Sequence, residues 1–231
     1  LDSTKRNSKP FLKYQQYPEY KKTNFEMTLS EFKPIFMYEY LHRILGRIIG
    51  IIFFIPLLYF TIRKAIPPVL IPRLYLLLIL GGFQGVLGWY MVKSGLVDDP
   101  NVSQYRLTAH LGMAVFIYSL ILWTVFDLSL NYNHAIRSRI KWMSSTLTLL
   151  IFLMILSGGL VAGTRAGIPF PTWPLMGDTF IPPQIYSMNP SWLSAFEDMA
   201  TIQFNHRMFA YLLTIFILIF AIVLLGSNVP R

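Results

Sequence analysis

Five long apolar runs decide what this chain can fold into. Each is about as long as the 20 or so residues an α-helix needs to cross roughly 30 Å of hydrocarbon. The spans are predicted over residues 35–60, 70–90, 105–128, 142–161 and 203–225. The fold class that follows is an all-α integral membrane protein, a polytopic helical bundle with five spans in this chain.

Composition agrees. Of the 231 residues, 54% are hydrophobic and only 13% are charged, where a soluble domain carries roughly 25%. The net charge of +9 raises nucleic acid as a partner. It is rejected because the basic residues lie in loops beside apolar runs rather than on one polar face. Cysteine is absent, which removes disulfides, thiolate metal sites and iron–sulfur clusters. The chain opens at Leu1 with no recognisable signal or transit peptide, which points to processing or truncation.

Residues 1–34 form a polar arm with Lys5, Arg6, Lys9, Lys13, Lys21 and Lys22, either an outer-side loop or a disordered tail. Thr28-Leu29-Ser30-Glu31 has the pattern of a cap before the first span. Arg63, Lys64 and Arg73 follow the first span, and Arg137, Arg139 and Lys141 follow the third. The other two loops balance Lys93 and Arg106 against Asp98 and Asp99, and Arg165 against Asp178, Glu197 and Asp198. The positive-inside rule then puts the two basic loops on the inner side. Spans one, three and five run inward, and the basic arm lies outside against the trend. Residues 162–202 form a long outer loop rich in proline and aromatics, read either as a functional lid or as an interfacial cap anchored by Trp173 and Trp192. Gly46 and Gly50 on the first span, and Gly82, Gly85 and Gly88 on the second, are spaced for close helix packing.

The chemistry starts with the histidines. His134 is expected to be an ordinary residue of a basic loop. His42, His110 and His206 each fall within about two turns of the start of an inward-running span, so they share a depth near the outer face. Polar groups in lipid are costly and mark functional candidates, against the plainer reading of hydrogen-bonded structural histidines. Zinc would want three or four ligands. Haem wants one or two axial ligands in a large apolar pocket, which Gly112, Phe116, Phe204 and Phe209 suit. Arg43, Arg47, Arg106 and Arg207 at the outer rim could meet propionates, or simply snorkel to headgroups. His42 with His110 would make one bis-histidine site, leaving His206 without a partner in this chain.

A repeat accounts for that. Tyr38-Glu39-Tyr40-Leu41-His42-Arg43 and Phe204-Asn205-His206-Arg207 both open apolar helices, and their histidines lie 164 residues apart. The same offset from His110 points past Arg231. The chain therefore reads as the middle five helices of a duplicated eight-helix protein. Its parts are the arm 1–34, first-bundle helices over 35–128, a basic inner loop 129–141, and second-bundle helices with the long outer loop over 142–231.

Those two motifs, together with Gly85-Val86-Leu87-Gly88-Trp89-Tyr90-Met91-Val92-Lys93-Ser94-Gly95-Leu96, Ser103-Gln104-Tyr105-Arg106-Leu107-Thr108-Ala109-His110-Leu111-Gly112, Tyr14-Gln15-Gln16-Tyr17-Pro18-Glu19-Tyr20-Lys21 and Pro174-Leu175-Met176-Gly177, closely resemble the haem A synthase family in its mitochondrial and alphaproteobacterial, cysteine-free form. The resemblance covers nearly the whole chain. It implies two pseudo-symmetric four-helix bundles, with the spans here as the second to sixth helices. It implies oxidation of the C8 methyl of haem o to the formyl group of haem a, for cytochrome c oxidase assembly. His42 and His110 would ligate the substrate haem, and His206 a haem b cofactor. Glu39 would be the catalytic carboxylate, handling protons or polarising water beside the methyl, unless it is only the partner of an arginine. The implied setting is the mitochondrial inner membrane, with the bacterial plasma membrane second. Membrane lipid, haem o synthase, oxidase assembly factors, a second copy of the chain, or another polypeptide supplying the remaining helices are the candidate partners. Two non-enzymatic readings stay open: a bis-histidine b-type electron-transfer cytochrome, and a haem-binding assembly subunit.

Overall fold

Thr28 begins the first membrane helix by closing a reciprocal cap. Its hydroxyl accepts from the Glu31 amide while the Glu31 carboxylate accepts from the Thr28 amide at 2.8 Å, satisfying donors that a helix start leaves open. The computed structural model describes residues 9–94, 100–130 and 138–227. Lys5, Arg6, Asp98, Asp99, His134 and Arg137, and the end of the Gly85–Leu96 motif, lie outside the described residues.

Residues 9–14 are helical and are followed by α1 (Pro18–Lys22), α2 (Leu29–Ile62), α3 (Ile71–Ser94), α4 (Gln104–Ser129), α5 (Ser138–Thr164), the short α6 (Ser194–Glu197) and α7 (Met199–Leu225). Helices α2, α3, α4, α5 and α7 are long and apolar enough to cross a membrane, so all five predicted spans are present. Among the described residues there is no strand, only an isolated bridge between Met176 and Thr179. The chain divides into two units, Leu1–Ser103 and Gln104–Arg231.

In the first unit, the arm over 9–28 is folded rather than a loose tail. Phe32 is buried beneath Tyr14, stacked at 4.9 Å between ring centroids, and Phe11, tilted at 5.2 Å. Phe36 and Tyr40 continue the stack along α2 at the i,i+4 spacing that shares a helix face. Burial pushes the Tyr14 phenol up from its ordinary value, keeping it neutral where the Asn24 amide donates to it at 2.8 Å. The cap at Thr28 therefore starts a continuous 34-residue helix, six residues earlier than the span predicted from hydropathy. It ends where Lys64 turns left-handed at φ 53° and the Ala65 amide reaches back to the Phe60 carbonyl, a helix-stop geometry usually filled by glycine.

In the second unit, α5 packs against α4 on one side and α7 on the other. The seam with α4 is built on two glycines one turn apart. A Cβ on Gly163 would sit 2.5 Å from Gln104 Cα, and one on Gly159 would sit 2.7 Å from Thr108 Oγ1 and 3.1 Å from Thr108 Cα. Backbone fills the space, so no side chain fits without parting the helices. This corrects the packing expected from glycine spacing. A Cβ at Gly46, Gly50, Gly82 or Gly85 would meet nothing within 4 Å; the small-residue contact is made by Gly159 and Gly163 instead. Gly112, expected to make room for a porphyrin, is taken up by Leu156, whose Cδ2 lies 2.6 Å from where its Cβ would be.

The loop between α5 and α7 is fastened at many points. Asp198 caps α7, accepting from the Thr201 amide at 2.7 Å and its hydroxyl at 2.6 Å. Thr201 Oγ1 in turn accepts from the Tyr186 amide, and Ser194 Oγ from the Met188 amide. Thr201 and Ser194 are fully buried. The Gln104 amide and the Tyr105 hydroxyl both donate to Glu197, tying the loop's end to the start of α4. Trp173 and Trp192 are 74% and 63% exposed, as interfacial anchors would be.

Two outcomes are expected. Gly163→Leu should destabilise the α4–α5 pair by about 1–3 kcal/mol, read as a lowered midpoint in detergent unfolding, whereas Gly46→Leu should leave it unchanged. Since the chain lacks cysteine, Arg139→Cys and Trp173→Cys, at opposite ends of α5, should react with an impermeant thiol reagent from opposite sides of the membrane.

Candidate functional site

Each candidate histidine stands at one edge of the hydrocarbon its own helix can span. His42 lies 20 residues before the end of α2 at Ile62, His110 19 before Ser129, and His206 19 before Leu225. At 1.5 Å per residue these lengths are about 30 Å, the thickness of the core. The two-turn offset expected from helix starts holds for His110 and His206, six and seven residues past the first residues of α4 and α7. It fails for His42, thirteen residues into α2, because that helix continues outward to the Thr28 cap.

In the second unit, His206 is held by α5. Its Nδ1 lies 3.0 Å from Ser157 Oγ, and its Cε1 lies 3.5 Å from where a Cβ on Gly158 would be. The ring is half-buried against α5 backbone. With Nδ1 occupied, Nε2 is the nitrogen left for a ligand. His110, Phe204 and Phe209 are half-buried in the same unit and Phe116 is exposed. Buried oxygens of Thr108, Gln203 and Tyr211 have no hydrogen-bond partner. Gln203 and His206 share a face of α7.

Arg207 does something other than wait at a rim. Its guanidinium donates to the Phe170 carbonyl at 2.7 Å and the Leu175 carbonyl at 3.1 Å, clamping the loop between α5 and α7 to α7. Asn205 beside it accepts from the Tyr186 hydroxyl at 3.0 Å. The HR motif thus divides its labour: the imidazole faces α5 and the guanidinium holds the loop.

In the first unit, Glu39 and Arg43 form an ion pair across one turn of α2, both about half exposed. This is the arginine pairing that sequence left as the alternative for Glu39. His42 lies between them in sequence and is exposed, as is Arg47. Arg106, on α4, is half-buried. An apolar cavity of about 510 Å³ lined by Phe53, Pro56, Leu57, Phe60, Ile66 and Leu70 sits at the opposite end of α2, far from these groups.

Among the described residues, no three histidine, aspartate or glutamate side chains gather into a metal-binding cluster. A zinc site of three or four ligands therefore finds no support there. Single imidazoles on separate membrane helices, one with Nδ1 satisfied and Nε2 available, fit the one or two axial ligands of a haem.

Sequence reasoning missed Ser157, Gly158, Glu197 and Asn205. The signal for Ser157-Gly158-Gly159 was there: a hydroxyl and two glycines interrupting an apolar span. Glu197 carried none, since its partners are 92 and 93 residues away.

Comparison with known proteins gives the chain's family. The chain is 50% identical over 215 residues to a heme A synthase of Nitrosospira multiformis, covering 91% of this chain and 60% of that protein. It is 46% identical to one from Parvibaculum lavamentivorans, over 87% of this chain and 58% of that one. A heme A synthase of Wolbachia pipientis is 38% identical over 91% of this chain and 61% of its own length. The chain thus spans about three fifths of the length of the curated relatives it matches. No solved structure matches it. The family described as cytochrome oxidase assembly protein matches residues 3–230, and the chain belongs to that family, COX15-CtaA.

Proposed function

We propose that this chain carries the helices of a haem A synthase that hold its substrate haem and one ligand of its cofactor haem. The observation that carries the reading is the His206 imidazole, oriented by α5 with Nε2 left for iron, in a chain whose relatives bear that name. The reaction is oxidation of the C8 methyl of haem o to formyl: one methyl and one water become an aldehyde, four protons and four electrons.

His42 and His110 are the proposed axial ligands of haem o, held by the helices of 35–128. His206 is the proposed ligand of haem b, held by those of 142–231. Haem b, when bound, supplies one-electron relay away from the substrate. Glu39 is the proposed proton acceptor near the methyl. Its pairing with Arg43 holds the carboxylate in one orientation on α2, and a positioned carboxylate can serve as a general base. Arg47 and Arg106 are proposed propionate contacts, with Arg43 and Arg207 adding the N–H donors their other bonds leave over, since a guanidinium has five. The proposed location is the mitochondrial inner membrane, with the bacterial plasma membrane as the second. Haem o synthase, oxidase assembly factors, a second copy, or a chain bringing further helices are the proposed partners.

Haems extracted from the native protein in membranes should be haem b together with haem o or its oxidised products, by pyridine-haemochrome spectra and chromatography. His206→Ala should lose haem b, whereas His42→Ala or His110→Ala should lose the substrate haem and keep haem b. Haem b alone, unaltered when haem o is supplied, would mean an electron-transfer cytochrome. Glu39→Gln should keep both haems and slow formyl production by about 10²–10⁴-fold, the usual worth of a positioned base.

A further inference from the structure

Among the features that the function above does not absorb, the contact of Ser157 with His206 has the most defined geometry. Serine in a membrane helix commonly turns its hydroxyl back to its own helix; Thr148 and Thr164 of the same helix do so, onto the Ser144 and Leu160 carbonyls. Ser157 instead reaches across to α7, with Oγ 3.0 Å from His206 Nδ1. The next residue, Gly158, presents only backbone to the ring, and a Cβ there would touch His206 Cε1 at 3.5 Å. The imidazole is therefore held at Nδ1 by the Ser157 hydroxyl, with its Cε1 edge turned toward the Gly158 backbone. The contact joins two helices 49 residues apart in sequence, and it sets how the ring is turned. Helix α5 is itself pinned by the Gly159 and Gly163 seam to α4, so the hydroxyl cannot drift along α7.

We propose that Ser157 is a positioning residue for His206, accepting a hydrogen bond from Nδ1–H so that the neutral ring presents Nε2 to haem iron. The proposal rests on the reading of His206 as a haem ligand. Its chemistry is that of an outer partner on a ligating histidine: the partner selects the tautomer, holds the ring plane and raises the basicity of the ligating nitrogen. A hydroxyl is a weaker acceptor than a carboxylate. Serine therefore gives orientation with little imidazolate character, and donates less electron density to ferric iron than an aspartate would.

The test uses the full-length protein purified from membranes, with haem as the probe. Ser157→Ala should weaken haem b binding by about 10–100-fold, the usual loss when such a partner is removed. It should also move the haem midpoint potential to more positive values, because the ligand becomes less basic. Ser157→Thr, which keeps the hydroxyl, should restore both, and Thr148→Ala on the same helix should change neither. If His206→Ala retains the low-spin b-type spectrum, the ligand reading fails and this proposal with it. If His206→Ala loses that spectrum while Ser157→Ala binds haem and poises it as the unaltered protein does, the positioning role alone is overturned. Should Ser157→Ala not accumulate, Ser157→Cys, with a weaker acceptor, must show the same positive shift; an unshifted potential there overturns the proposal.

Discussion

The approach of α4 to α5 at Gly159 and Gly163 is the contact on which the second unit depends. Apolar side chains gain little by meeting each other in lipid, which is as apolar as they are, so membrane helices associate through close van der Waals contact and polar pairs. Here the backbone of Gln104 and Thr108 takes the volume that side chains would occupy on α5. The geometry of that contact propagates. It places the start of α4 where Gln104 and Tyr105 reach Glu197, and leaves the neighbouring face of α5, with Ser157 and Gly158, to α7. One helix thus carries two jobs within three consecutive residues: Ser157 holds the imidazole and Gly159 locks the helix to α4.

The loop between α5 and α7 follows from the same economy of polar groups. Over 165–198 it has few backbone partners of its own, yet its polar side chains and carbonyls are joined to the starts of α4 and α7. Arg207, Asn205, Thr201, Asp198 and Glu197 all hold it, within eleven residues of one another. The two exposed tryptophans belong at a membrane interface, where an apolar ring with one polar atom is best accommodated. Between a lid that swings and a cap that stays, this density of fastening favours the cap, with the loop's rigidity inherited from the first turns of two membrane helices.

The membrane made most of the fold legible in the sequence. Hydrocarbon forbids unsatisfied backbone over the whole of a span, so five apolar runs translate into five helices without knowledge of packing. Helix starts were less legible. Thr28-Leu29-Ser30-Glu31 showed the cap, but the polar residues after it hid that α2 begins at once, because an outward extension of a membrane helix obeys aqueous rules. Glycine spacing misled for a physical reason: a small residue permits close approach but does not cause it, and which glycines meet a neighbour is a property of the assembled helices. Of the candidate site, the sequence made legible only where single residues fall along their helices. His110 and His206 could be placed by counting. Which nitrogen of His206 is occupied, and that Arg207 clamps carbonyls, depends on groups 32 to 49 residues away.

In the first unit, α2 solves a different electrostatic problem. Its 34 residues rise about 51 Å, some 20 Å more than the hydrocarbon is thick. With Ile62 at one edge, the other edge falls at His42 and Arg43. Glu39 then lies one turn outside and Arg47 one turn inside. A lone arginine inside that edge would snorkel outward, and a lone glutamate outside it would stay hydrated. Pairing Glu39 with Arg43 across the boundary cancels two charges within one helix, with no help from a neighbour. What remains on that turn is an exposed imidazole at the rim of the core. Such a group has little to gain from lipid on one side or from bulk water on the other. The haem proposed for His42 would meet both demands, offering an apolar ring to the core and carboxylates to the arginines at its edge.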